Sequence, residues 1–255
     1  GPEGAPAEAA APVPDTMPPA VAAAAAEPAT ATPPAPLVPS ADLEQRLAAL
    51  SPQACARQAA QALLAAWRVR PLTPDESGTP ADLGVVAARR GLEYMPLLGN
   101  GTMIRLLDLP AILELRIPDA GGPRYVALTG MSEGRAVLVI AGEPTPVDAA
   151  FIDRHWFGQA HVLWHDFEGL GTTFGREARG APVVRLQALL RRAGTYEGAS
   201  TGVFDASTEA AVLAFQRTRF LVPDGRVGRL TRIVLYATAG GYPRPMLGAA
   251  PEATS

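Results

Sequence analysis

Between Gly180 and Leu235 apolar residues recur at helical spacing in three short blocks, each closed by polar residues or glycine. Val183, Leu186, Leu189 and Leu190 share one face of a helix that begins near Pro182. Ala211, Val212 and Phe215 do the same in a second helix, with Asp205 as its N-cap. A third follows Gly228 and places Leu230, Ile233, Val234 and Leu235 inward. Gly202, Gly225 and Gly228 stand where the turns need backbone conformations that strain other residues. The stretch reads as three short helices around one small core.

The blocks Val183-Val184-Arg185-Leu186-Gln187, Ala211-Val212-Leu213-Ala214-Phe215-Gln216 and Pro223-Asp224-Gly225-Arg226-Val227-Gly228, with Thr231, resemble the peptidoglycan-binding module found at the ends of many bacterial cell-wall proteins. The resemblance implies a domain over residues 180–240, peptidoglycan as the partner and an extracytoplasmic location. Gln187, Gln216 and Thr231 stand where that family also has Gln, Gln and Thr. The favoured reading is that they satisfy loop backbone amides; direct ligand contact is the alternative. Phe220 stands where the family usually has Gly, and Arg229 where it usually has Pro. With Asp224, these residues make the candidate peptidoglycan contacts: Gln187, Gln216, Phe220, Asp224, Arg229 and Thr231. A wall ligand needs only a shallow groove with a few fixed donors, so no catalytic group is implied.

Residues 1–39 differ in kind. The first forty residues hold eleven of the 26 prolines and fourteen alanines, and their only charges are Glu3, Glu8, Asp15 and Glu27. Such a segment has no core to offset its ordering entropy and is expected to be a semi-stiff, disordered spacer. Gly1-Pro2 has the look of a protease-site remnant, which implies native sequence upstream. No apolar run approaches the ~18 residues that span a bilayer, so any membrane anchor would lie upstream. The net charge of -3 argues against nucleic acid as a partner. All 22 basic residues are arginine, which is read as coding bias rather than as selection for anion contacts. One cysteine excludes an intrachain disulfide.

From residue 40 to 166 the period changes along the chain. Helices are expected from Ser40, as N-cap, to Leu50, from Pro52 to Trp67 and from Ala81 to Arg90. Strands are expected at Leu92–Met95, Ala111–Ile117, Arg124–Met131, Arg135–Ile140 and Ala160–Trp164, with a hairpin turn at Met131-Ser132-Glu133-Gly134. Asp148 caps a helix running to His155. The fold class is α+β: a mostly antiparallel sheet with helices, then the three-helix domain. Residues 167–179 read as a linker and residues 241–255 as a disordered tail.

Cys55 near a helix start ahead of such a sheet resembles the papain-like, bacteriocin-processing peptidase domains of ABC exporters. In that family the cysteine is joined by a histidine opening a central strand, an aspartate after the next strand and a glutamine six residues before the cysteine. Here the strand opens Pro123-Arg124, the next ends Val139-Ile140-Ala141-Gly142-Glu143, and the residue six before Cys55 is Ala49. A thiolate without an oriented imidazole lacks the acid that protonates a leaving amine. Cys55 is therefore read as a vestigial nucleophile and a small buried residue. His155, His161 and His165 are assigned structural or surface roles, and no metal or cofactor is expected.

A degenerate peptidase-like domain joined to a peptidoglycan-binding module resembles the C-terminal periplasmic region of GspA/ExeA-type proteins of the general (type II) secretion pathway. The residues that carry this are Leu107-Asp108-Leu109-Pro110-Ala111-Ile112-Leu113-Glu114-Leu115, Arg124-Tyr125-Val126-Ala127-Leu128 and Ile152-Asp153-Arg154-His155-Trp156-Phe157-Gly158. The resemblance implies a periplasmic, non-enzymatic protein, anchored in the inner membrane at full length. It would bind peptidoglycan and help the secretin assemble across the wall with a GspB-type partner. Self-association into a homo-oligomer is compatible with it. Two other readings stay open: a cysteine peptidase or wall amidase using Cys55, and a peptide-binding platform in which an apolar groove beside Cys55 grips a partner's extended segment.

Overall fold

The computed structural model describes residues 36–132 and 134–248. The Pro/Ala-rich spacer, up to residue 35, and the last seven residues lie outside them, as does Glu133 of the expected turn.

Two helices open the described chain, α1 (Ser40–Ala48) and α2 (Pro52–Ala66). Ser51 caps α2, its Oγ accepting from Ala54 N at 3.1 Å, and Pro52 takes the first helical position, where no amide is needed. The N-cap of α1 is Pro39 rather than Ser40, whose Oγ instead accepts from Arg154 Nη2 at 2.6 Å. The third helix is shorter than its pattern, α3 (Leu83–Ala88), with turns on either side. Next come β1 (Glu93–Leu98), α4 (Gly101–Leu107), β2 (Ala111–Leu115), β3 (Arg124–Ser132), β4 (Arg135–Ile140), β5 (Glu143–Asp148), α5 (Ala149–His155) and β6 (Trp156–Trp164). Asp148 caps α5 as expected, accepting from Ala150 N at 2.8 Å.

The strands form one sheet in the order β1-β6-β2-β3-β4-β5, every pairing antiparallel. Alternation assigns its faces. Ile112, Ala127, Val139 and Leu163 point to one side, against Ala59, Ala60, Leu63 and Leu64 of α2. The small alanines let α2 lie close to the strands. Leu113, Val126, Leu128, Leu138 and Val162 point to the other side, into a core shared with α1, α4 and α5.

Both edges of this sheet carry proline. Gly99 N donates to Gly158 O at 2.9 Å, so alternation along β1 turns the Pro96 nitrogen away from β6. On β5 the Pro146 carbonyl accepts from Val38 N at 3.1 Å, so Pro146 and Pro144 face outward too. Neither edge can be extended by another strand through an unbroken ladder.

The three C-terminal helices are α6 (Ala181–Arg192), α7 (Ala206–Thr218) and α8 (Arg229–Ala239). Val183, Leu186, Leu189, Leu190, Val212, Phe215, Ile233, Val234 and Leu235 are buried, and Leu230 is half-buried. Their core is continuous with the sheet face opposite α2. Two segments differ from expectation. The linker is packed, with Leu170 buried and Phe174 bridged to Val227. Residues 241–248 of the tail are also held in place: Leu247 is buried, its N donates to Asp108 Oδ1 and its O accepts from Met131 N, both at 3.0 Å. Arg244 pairs with Asp108 at 2.8 Å. The anchor lies far back in sequence, at the left-handed C-cap of α4, so local composition does not reveal it.

Candidate functional site

The helical module is built from two copies of one clasp. In the first, Gln187 sits in α6, fully buried. Its Oε1 accepts from Gly202 N at 3.0 Å. Its Nε2 lies 3.1 Å from Val203 O and 3.0 Å from Thr208 Oγ1. In the second, Gln216 of α7 accepts from Gly225 N at 3.0 Å. Its Nε2 lies 2.9 Å from Arg226 O and 3.2 Å from Thr231 Oγ1. Each glycine has a left-handed φ, 72° and 70°, and each threonine follows its glycine at the same spacing. The glutamine-to-glycine separations are 15 and 9, which hides the repeat from a fixed-period reading. Thr208 belongs to this frame and was not singled out from the sequence; its match to Thr231 relative to the glycines is the signal that finds it.

The six candidate contacts therefore separate into two groups. Gln187, Gln216 and Thr231 are buried and already hydrogen-bonded to the module's own loops. Asp224 is exposed but braces its loop, its Oδ1 accepting from Gln216 Nε2 at 2.8 Å and from Arg226 N at 2.9 Å. Phe220 and Arg229 are exposed.

Phe220 occupies an unusual position. Helix α7 ends with Phe220 N donating to Arg217 O at 3.2 Å and Leu221 N to Gln216 O at 2.9 Å, the paired bonds of a Schellman stop. That makes Phe220 the left-handed residue, with φ 56°, a place that glycine fills without strain. The ring recovers nothing by burial, since the residue is 89% exposed. Val222 beside it is 79% exposed, and Arg217, Arg219, Arg226 and Arg229 are exposed along the same helix end and loop. An arginine-rich edge carrying a projecting aromatic ring can hold carboxylates by charge-assisted hydrogen bonds and an apolar sugar face by contact.

The surroundings of Cys55 are built differently. Cys55, in the first turn of α2, is 2% exposed. Burial pushes its thiol above the ordinary value of 9.0, against a smaller downward pull from the Arg124 charge. Arg124 itself is buried and clamps the end of α1, with Nε donating to Leu47 O at 2.9 Å and Nη2 to Ala48 O at 3.4 Å. A guanidinium there can neither accept a proton nor return one. His155 sits between Arg116 O (3.0 Å) and Glu44 Oε1 (3.1 Å). His161 lies within β6, its Nδ1 accepting a hydrogen bond from the Tyr94 hydroxyl (2.9 Å) while Nε2 donates to Glu114 (2.8 Å). His165 stacks on Phe167 at 4.6 Å between centroids. A groove lined by Ile104, Leu113, Leu128, Ile152 and Trp156, with Arg105 and Asp153 also in its walls, lies on the sheet face away from α2, so it does not border Cys55. A thiol reagent at pH 7.5 is expected to leave the folded chain unmodified and to label Cys55 fully in denaturant. Rapid labelling of the native chain would restore the nucleophile.

Residues 179–235 match the family model described as "Putative peptidoglycan binding domain". Over 161 residues the chain is 29% identical to General secretion pathway protein A of Aeromonas hydrophila, taking in 63% of this chain and 29% of that protein. The chain thus spans less than a third of that relative's length. Among solved structures it is similar to a periplasmic domain of the EpsAB fusion protein of the Vibrio vulnificus type II secretion system, at 21% identity and a TM-score of 0.48, covering 73% of this chain and 80% of that one. It is also similar to the N-terminal peptidase C39 like domain of a toxin secretion ATP-binding protein from Vibrio parahaemolyticus, at 18% identity and a TM-score of 0.36, covering 46% of this chain and 99% of that one. The likeness to a GspA/ExeA-type region, expected from the residues, is present in the family and sequence matches.

Proposed function

We propose that this chain is a non-catalytic, periplasmic peptidoglycan-binding factor of a type II secretion pathway, which helps the secretin assemble across the wall. A GspB-type protein would be its inner-membrane partner, and the full-length protein would be anchored in that membrane. The match of residues 179–235 to a peptidoglycan-binding family carries the reading. Phe220, Asp224 and Arg229, left exposed by the buried glutamine frame, are the proposed contacts, with the arginines facing stem-peptide carboxylates and Phe220 a sugar ring. Binding of this kind weakens with added salt.

Phe220→Gly separates binding from folding. Relief of the left-handed strain is expected to stabilise the chain by about 1 kcal/mol, a rise of roughly 2–4 °C in Tm. Affinity for purified sacculi falls several-fold in the same variant. A variant that binds as the parent does would remove Phe220 from the site.

The absence of catalysis is tested directly. Incubated with sacculi, the chain is expected to release no soluble wall fragments, and Cys55→Ala is expected to behave as the parent. Fragment release that disappears in Cys55→Ala would favour a wall amidase or peptidase.

A further inference from the structure

Between α4 and α5, on the sheet face away from α2, the groove deepens into a recessed pocket of about 50 Å³. Its floor is apolar and comes from buried side chains: Ile104 of α4, Leu113 of β2, Leu128 of β3, Ile152 of α5 and Trp156 of β6. Such a volume holds roughly three to five waters, or an alkyl group of about one to three carbons. Two opposite charges stand in the walls. Arg105 of α4 and Asp153 of α5 are exposed, and neither side chain makes a hydrogen bond or an ion pair with a described residue. The Arg105 guanidinium folds back over Gly101, another wall residue, with Nη1 3.5 Å from the point that a Cβ there would occupy. Its charged head is therefore at the pocket and not directed away from it. The next acid along the chain, Asp108, is taken by Arg244 at 2.8 Å, so it does not neutralise Arg105.

The two charges select the ligand. A carboxylate alone would meet Arg105 but be repelled by Asp153, and an amine alone would meet the reverse. A group carrying both charges satisfies both walls, and a short alkyl branch between them fits the floor. We infer that this pocket binds a small zwitterionic α-amino acid of about alanine size, its carboxylate on Arg105, its ammonium on Asp153 and its side chain over Ile152 and Trp156. The guanidinium offers paired N–H donors to the carboxylate, and the ammonium donates to the aspartate oxygens. Aromatic and long side chains exceed the volume. The inference is independent of the wall-binding reading, since its residues lie outside the helical module.

The test is a titration of the intact 15N-labelled chain with L-alanine and with D-alanine. It follows the amide signals of Arg105 and Asp153 and the indole N–H of Trp156, which donates to Gln159 O at 2.7 Å. For so small a ligand a Kd on the order of 1 mM is expected. With at least one hand of alanine the three signals are expected to move together and saturate, while the indole signals of Trp67 and Trp164 stay in place. Propionate and ethylamine, each lacking one charge, and phenylalanine, too large for the pocket, are expected to leave them unmoved at the same concentration. Asp153→Asn and Arg105→Gln are each expected to raise the Kd at least tenfold. Both variants keep the parent's melting temperature, because neither side chain has another partner among the described residues. No saturation by either hand, equal shifts with propionate or ethylamine, or an unchanged Kd in either variant would overturn the assignment.

Discussion

Gln216→Ala is expected to lower the stability of the folded chain by about 3 kcal/mol, a fall in Tm of roughly 6–12 °C. The size follows from what the side chain holds. Gln216 is 1% exposed, its oxygen accepts from Gly225 N, and its nitrogen meets Arg226 O and Thr231 Oγ1. Alanine would leave the buried Gly225 amide without a partner, remove the bonds to Arg226 O and Thr231 Oγ1 and open a cavity beneath the loop. Gln187→Ala is expected to behave alike, since it closes the equivalent loop at Gly202. If these glutamines were ligand contacts, the result would be reversed: near-normal melting with loss of wall binding. Thermal melts beside sacculus pelleting decide between the two.

The second large effect is at the seam between the sheet and the helical module. Arg232 is 4% exposed, stacks over the Trp164 ring at 4.9 Å and donates to Asp166 Oδ2 at 3.1 Å. Asp166 also takes the Tyr236 hydroxyl and Gly171 N, the latter at 2.8 Å. Arg232→Ala leaves a largely buried carboxylate short of its cation, with an expected loss of about 3 kcal/mol. It also removes a tie between the two parts, so the parent is expected to melt in one cooperative transition and the variant in two.

The seam has a definite pH signature. Burial alone would raise the Asp166 pKa, but hydrogen bonds from Tyr236, Gly171 and Leu170 and the charge of Arg232 together bring it below the ordinary 3.8. A carboxyl depressed in the folded state is more protonated when unfolded. Its stabilisation is therefore complete above about pH 4 and is lost as the pH falls through the folded-state value. Glu76, held low chiefly by hydrogen bonding from Arg90, acts in the same direction. In Arg232→Ala the folded-state pKa of Asp166 moves back up, so Asp166 contributes less to the acid loss and the variant's melting temperature is expected to fall less steeply than the parent's below about pH 4. Melting temperatures between pH 2.5 and 7 measure it, and parallel curves for parent and variant would contradict the role given to Asp166.

The parts of this fold that were legible in the sequence are those whose stabilisation is local and periodic. Val183, Leu186 and Leu190 mark α6 by spacing, and Asp148 marks the start of α5 by its cap. Strand β5 was not read because Pro144 and Pro146 argue against a strand; they are tolerated because both nitrogens face the free edge. Helix α4 escaped because its seven residues are too few to display a period. The packed tail was missed for another reason: Arg244 and Asp108 are 136 residues apart, and nothing around Pro243 and Pro245 announces the contact. The candidate site was only partly legible. Family positions led to Gln216 and Thr231, but whether they face a ligand or a loop depends on burial, which spacing does not carry. Phe220 was found as a departure from pattern; its left-handed backbone makes that departure a physical argument.

The most direct test of the account is co-sedimentation with purified peptidoglycan sacculi, comparing the intact chain, Cys55→Ala and the double variant Phe220→Gly, Arg229→Ala. The account predicts that the first two pellet equally and are released by salt, while the folded double variant stays in the supernatant. An intact chain that does not pellet, or pelleting that survives the double variant and fails in Cys55→Ala, would contradict it.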